Sequence, residues 1–184
     1  MGWVRLAGQS MVRCGVSLIL GAHCLAASAH ASEAGLRVAF VYNFLKFIEW
    51  PEYQEAEFRL CALGADALTR QSLDKLDNKP HQQRLINVVY LDTQEAIDQS
   101  IGSCPLLYIP RSGAGFLLPQ PFPSGVLLVA DEASANDLNV SISLQRTADN
   151  RIEFVMNEPA LQHAGVKVSS QLLKLAKSRQ GGGG

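Results

Sequence analysis

The spacing of apolar runs along this chain predicts an α/β protein: an open mixed sheet, mainly parallel, with helices on both faces and a C-terminal β-hairpin and helix. Three observations carry this. The runs "FRLCALG" (58–64), "RLINVVYLD" (84–92), "CPLLYIP" (104–110) and "GVLLVAD" (125–131) each close at Gly, Asp or Pro. Continuous runs of this kind fit strands buried on both faces. Segments with helical spacing separate the first three runs, which is the strand–helix–strand order of a parallel sheet. Farther on, Val140-Ile142-Leu144 and Ile152-Phe154-Met156 alternate on either side of "TADN", good turn chemistry for a hairpin.

The elements follow in order. Arg5 and Arg13 precede the apolar run "CGVSLILGAHCLAA" and an exit at Ala29 and Ala31. That is the layout of a cleaved secretory signal, expected over residues 1–31 with the cut between Ala31 and Ser32; a tethered or disordered N-terminus is the alternative. The run is too short and interrupted for a membrane span of about 20 residues. Cys24 follows His23, not the Gly or Ala that a lipidation signal wants. The mature chain, residues 32–180, has the length of one domain. Residues 181–184 are all glycine, with nothing to pack, and read as a frayed tail.

"FVYNFLKFIEWPE" opens the domain. At about 100° per residue, Phe40, Val41, Phe44, Leu45, Phe47 and Ile48 share one half of a helix, and Tyr42, Asn43, Lys46 and Glu49 the other. This is a core-facing helix, ended by Pro51, with Trp50 at its exit. An exposed aromatic patch at Trp50-Pro51 is the competing reading, since Trp and Tyr are enriched at interfaces. "ADALTRQSLDKLDN" repeats Leu68, Ser72/Leu73 and Leu76 at helical spacing, and Thr93 caps a helix with Ala96, Ile97 and Ile101 on one side. "RSGAGFLLPQPFPSG" holds too many prolines and glycines for a crossover helix. It reads as an exposed loop with one turn of helix. The chain ends in a short helix stopped at Gly165 and a last helix capped by Ser169 or Ser170 and running to about Ser178.

Composition excludes several classes of function. Sixteen basic and 17 acidic residues nearly cancel, net −1, so there is no electrostatic footprint for nucleic acid. The mature chain keeps only Cys61 and Cys104. In an oxidising compartment two thiols predict a disulfide, worth on the order of 4 kcal/mol in the chain-entropy model; two buried free thiols are the alternative. His81 and His163 lack ligand spacing, so no metal is expected. "SGAGF" is not a nucleotide loop and no G-x-S-x-G is present. The carboxylates in "IEW" and at 131–132 lie near apolar runs, but adjacency in sequence does not pair them. With no nucleophile, metal cluster or phosphate cradle, neither catalysis nor a cofactor is expected.

Three stretches resemble the YfiR family of small periplasmic proteins: "LRVAFVYNFLKFIEWP" (36–51), the cysteines of "FRLCALG" and "SCPLLYI", and the tail from "NVSISL" through "NRIEFVMN" to "AGVKVSSQLLKLAK". The resemblance implies a Rossmann-like fold, periplasmic location and a bridge between Cys61 and Cys104 that couples redox state to folding. It implies a regulator that represses an inner-membrane diguanylate cyclase by binding its periplasmic sensor region, relieved when an outer-membrane lipoprotein sequesters it. A sensor kinase can stand in the cyclase's place, and a homodimer is a further expectation. Two departures mark this chain: the Pro/Gly-rich loop where the family has a helix after the third strand, and "DEASANDLNV" without the usual double glycine.

Together these readings give a non-enzymatic regulator acting through protein contact, with Trp50, Pro51, Arg111 and Phe116 as candidate partner-binding residues. The alternative is a small-ligand sensor or carrier. Open α/β sheets bind ligands at the carboxyl ends of their strands, here near Gly64-Ala65-Asp66, Asp92-Thr93 and Pro110-Arg111.

Overall fold

The apolar runs become the parallel centre of a single sheet. In the computed structural model, residues 32–134 and 136–177 are described; the expected signal and the glycine tail lie outside them. The order is α1 (Glu33–Phe47), β1 (Ile48–Glu49), β2 (Glu57–Leu63), α2 (Ala67–Leu73), β3 (Pro80–His81), β4 (Arg84–Leu91), α3 (Gln94–Ser100), β5 (Leu106–Ile109), β6 (Leu127–Asp131), β7 (Ile142–Arg146), β8 (Ile152–Met156), α4 (Glu158–His163), β9 (Lys167–Val168) and α5 (Ser170–Leu175). Single 3-10 turns occupy Ile101–Ser103 and Arg111–Gly113.

The main sheet runs β3-β4-β2-β5-β6-β7-β8. From β4 to β7 all neighbours are parallel; β3 and β8 add antiparallel edges. The parallel part has the flavodoxin-like order 2-1-3-4-5, whose switch point lies between the first and third strands, here β2 and β5.

Side chains of the central strands alternate between two apolar layers. Leu60, Ala62, Leu106, Tyr108, Leu127 and Val129 join Val41, Phe44 and Leu45 of α1, Leu73 of α2, Leu161 of α4 and Leu172 of α5. Cys61, Leu63, Leu107, Leu128 and Ala130 face the other way, onto Ile97 of α3, onto Phe122 of the Pro/Gly-rich loop and onto Val126 just before β6. That loop therefore covers the sheet where a helix would otherwise lie. Gly113 and Phe122 are buried, which corrects the reading of the whole segment as exposed.

Three boundaries also differ from expectation. α1 ends at Phe47, not at Pro51: Ile48 turns extended, and Ile48 and Glu49 pair antiparallel with Val168 and Lys167. The Phe47 carbonyl accepts from Ser169 N–H, so tertiary pairing takes over from the helix one turn early. α2 stops at Leu73, and Leu68 is 59% exposed; the buried stripe is Thr69, Leu73 and Leu76. α5 stops at Leu175, because Ala176 is extended and Lys177 N–H bonds the Phe154 carbonyl on the β8 edge. No helix among the described residues is long and apolar enough to cross a membrane.

Candidate functional site

The two ends of the parallel sheet are built differently. At the carboxyl end the switch point is filled by the protein's own chain. Gly64 ends β2 with φ +58 and its N–H on the Leu91 carbonyl. A Cβ at Gly113 would sit 2.0 Å from the Leu63 carbonyl oxygen, and one at Gly64 would meet the Phe116 ring at 2.7 Å. Only glycine allows approaches this close. Asp66 N–H donates to Ser112 Oγ at 3.1 Å. Gln94 grips the Leu117 backbone twice, donating to its carbonyl at 3.0 Å and accepting from its N–H at 3.3 Å. Phe116 is thus a half-buried plug packed on the α3-side core, Arg111 is exposed beside it, and Leu117 is 75% exposed.

Beside the plug, on the α1 side of the sheet, lies a polar cluster. Arg37 sits on the core face of α1 and is 2% exposed. Its guanidinium donates to Glu33 Oε1 at 3.0 and 2.8 Å, to the Leu144 carbonyl at 3.2 Å and to Glu132, and lies 3.3 Å from Asp131 Oδ1. Tyr108, fully buried on β5, donates to the same Asp131 carboxylate. Arg146 closes the ring on Glu33 Oε2 at 3.0 Å. Burial alone would lower the Arg37 pKa, but the Glu132 and Glu33 acceptors outweigh it and the net shift is upward. Desolvation raises the Asp131 pKa despite Arg37, and desolvation, then the Asp131 charge, raises that of Tyr108. Glu33 is held low by its hydrogen bond from Arg37. The cluster pins α1 to β6 and β7. The sequence reading noted the carboxylates at 131–132 but left them unpaired; an arginine among Val38, Val41 and Phe44 was the signal it passed over.

The amino end of the sheet is open. Trp50 turns its ring inward, against Phe58 with centroids 4.8 Å apart and His81 at 6.3 Å, and its Nε1–H donates to the Pro105 carbonyl at 2.9 Å. Burial, then the Arg84 charge, lowers the His81 pKa. A cleft of about 940 Å³ opens here, lined by Trp50, Tyr53, Arg59, Ser103, Gly125 and His163 among others. Pro51 is exposed between two lining residues, Trp50 and Glu52. The Cys61–Cys104 disulfide, Cα–Cα 5.8 Å, staples the walls: Arg59, two residues before Cys61, donates to Ser103 Oγ at 2.8 Å. Arg84 fixes the 51–56 loop by donating to the carbonyls of Tyr53 and Glu55.

The four candidate residues therefore do not form one patch. Trp50 is anchored on Pro105, before β5, and Arg111 and Phe116 follow it. The length of β5 with its flanks separates the pairs by roughly 20 Å. No cluster of metal-ligating side chains is present among the described residues.

No curated protein is significantly similar to this chain. A solved structure, a conserved domain protein from Vibrio cholerae O1 biovar El Tor, superposes with a TM-score of 0.50 at 12% identity, over 80% of this chain and 60% of that one. This chain thus spans 60% of its neighbour's length, and the likeness is one of fold. Residues 34–177, which carry both ends of the sheet, match the YfiR/HmsC-like family, and the chain belongs to it.

Proposed function

We propose that this protein is a non-enzymatic periplasmic regulator that binds the periplasmic sensor region of an inner-membrane signalling protein, in the first instance a diguanylate cyclase that it represses. In this reading residues 1–31 are the export signal, 32–180 the working domain and 181–184 a tail. The family is a regulatory one, and the Cys61–Cys104 bridge fits an oxidising compartment. The sealed switch point carries the reading. Where a doubly wound sheet ordinarily takes its ligand, Gly113 and Phe116 pack closely against the end of β2. Regulation then follows if the protein binds one conformation of the receptor better than the other. Cross-linking in the native host and purification of the exported protein test this. Recovery of an inner-membrane protein with a periplasmic sensor and a cytoplasmic cyclase or kinase module is the expected result; recovery of the protein alone contradicts it.

A second reading, a small-ligand sensor or carrier, moves to the amino end. Its cleft of about 940 Å³ falls within the ~300–1,000 Å³ of small-molecule sites. A saturable rise in melting temperature with one metabolite, abolished by Arg59→Ala, would favour it.

A further inference from the structure

The outer face of α1 carries two lysines gathered on one ring, that of Tyr42, whose other side packs against the core. Lys46 Nζ lies 4.6 Å from the centroid of the Tyr42 ring, and Lys79 Nζ, from the turn before β3, lies 5.3 Å from the same ring. Lys46 also donates to Asn43 Oδ1 at 3.2 Å, which leaves the Asn43 amide N–H groups as donors. Asn43, Lys46 and Lys79 are exposed and Tyr42 is half-buried. Among the described residues neither lysine takes part in an ion pair.

We infer that this face of α1 docks an acidic segment of the protein's membrane partner, with carboxylates meeting Lys46 and Lys79 around the Tyr42 ring. The inference rests on the regulator reading. Its basis is charge complementarity. Two ammonium groups share one ring, so they lie within about one Debye length, ~10 Å, and repel each other. Carboxylates placed beside the two ammonium groups relieve that repulsion and accept from them, and the Asn43 amide adds a further donor. The patch is also preorganised, which lowers the cost of ordering it on binding. Tyr42, Asn43 and Lys46 ride on one helix, and the Lys79 backbone is fixed at both ends. Its N–H bonds the Leu76 carbonyl at 3.0 Å, and its own carbonyl accepts from Ile86 N–H at 2.9 Å. An anionic membrane surface is the weaker occupant. Lipid-reading clusters carry about 4–8 basic residues; here a compact pair flanks a single ring.

The test uses the full exported protein in its host, with a photo-cross-linking amino acid at position 43, and the double variant Lys46→Glu/Lys79→Glu. Both lysines are exposed, so a thermal melt should show the variant folded; Lys46→Arg/Lys79→Arg, which keeps the charge, should retain binding. The inference predicts an adduct mapping to an Asp/Glu-rich peptide of an inner-membrane protein. It also predicts an affinity loss of about ten-fold or more in the double-Glu variant, restored when the acids of that peptide become lysines. If the partner is recovered with unchanged affinity and salt dependence by the double-Glu variant, the patch inference falls and the regulator reading stands. If wild type recovers no partner by any route, both fall. Binding of wild type, but not of the double-Glu variant, to phosphatidylglycerol vesicles without a protein adduct would overturn the inference in favour of a membrane surface.

Discussion

The carboxyl and amino ends of this sheet are built in opposite ways. At the carboxyl end, glycines bring a loop into van der Waals contact with the switch point and a salt-bridged cluster locks α1 beside it. At the amino end, a disulfide and a buried tryptophan flank a cleft that the described residues leave open. The close approaches are thus spent on rigidity at one end, and accessible surface is left at the other. Lys46 lies one turn before the helix exit to Trp50, so the Tyr42 patch belongs to the amino-end half of the molecule as well.

Substitutions can break this contrast. The largest effect is expected from Arg37→Ala, which strands Asp131 and Glu132 without their cation. Breaking a buried pair in this way costs about 4 kcal/mol, read as a fall in the midpoint of denaturant unfolding. The pH dependence of its partners sharpens the point, and the signs are opposite. The folded-state pKa of Asp131 is raised, so its contribution is complete below the unfolded value near 3.8 and is lost as pH rises through the folded value. Asp131→Asn should therefore gain on wild type as pH rises through that window. The Glu33 pKa is lowered, so its contribution is present above the unfolded value near 4.5 and is lost as pH falls through the folded value. Glu33→Gln should therefore show its deficit at neutral pH and lose it in acid. Urea titrations across this range check both directions.

Next in size is Gly113→Ala. The added Cβ would overlap the Leu63 carbonyl, so the plug must lift at a cost of about 3 kcal/mol, with raised hydrogen exchange confined to residues 111–118. Unchanged stability and exchange would show that the switch point is not sealed. Smallest is Trp50→Phe, which keeps the ring on Phe58 but removes one of the two donors to the Pro105 carbonyl, the other being Leu127 N–H. A loss of about 1 kcal/mol is expected, with partner binding altered more than stability.

Much of this architecture was legible in the residues. The runs at 58–64, 104–110 and 125–131 became β2, β5 and β6, buried on both faces as expected; the run at 84–92 became β4, which is mostly half-buried beside the β3 edge, with Leu85 exposed. Thr93 and Ser169 cap their helices with side-chain bonds, as local chemistry dictates, and Gly165 takes the left-handed φ of +63 that stops α4. What was not legible depends on distant partners. β1 and β9 are two residues each and exist only because α1 delivers one beside the other. Trp50 at a helix exit fits either a core or a surface; the Pro105 carbonyl, 55 residues away in sequence, decides for the core. "RSGAGF" carries every local sign of a free loop, yet Gly113 and Phe116 pack against β2. Arg37 gives no local sign of its role, because its partners Asp131 and Glu132 come from the far end of β6.

The most direct test of the contrast places a photo-cross-linking amino acid at Pro51, at the open end, and in a second variant at Leu117, the most exposed apolar side chain of the sealed end. Both proteins are exported and irradiated in the native host. A membrane-protein adduct from position 51 and none from 117 is the expected result. An adduct from 117 with none from 51 would mean that the plug loop is the working surface and that the two ends have been assigned the wrong way round.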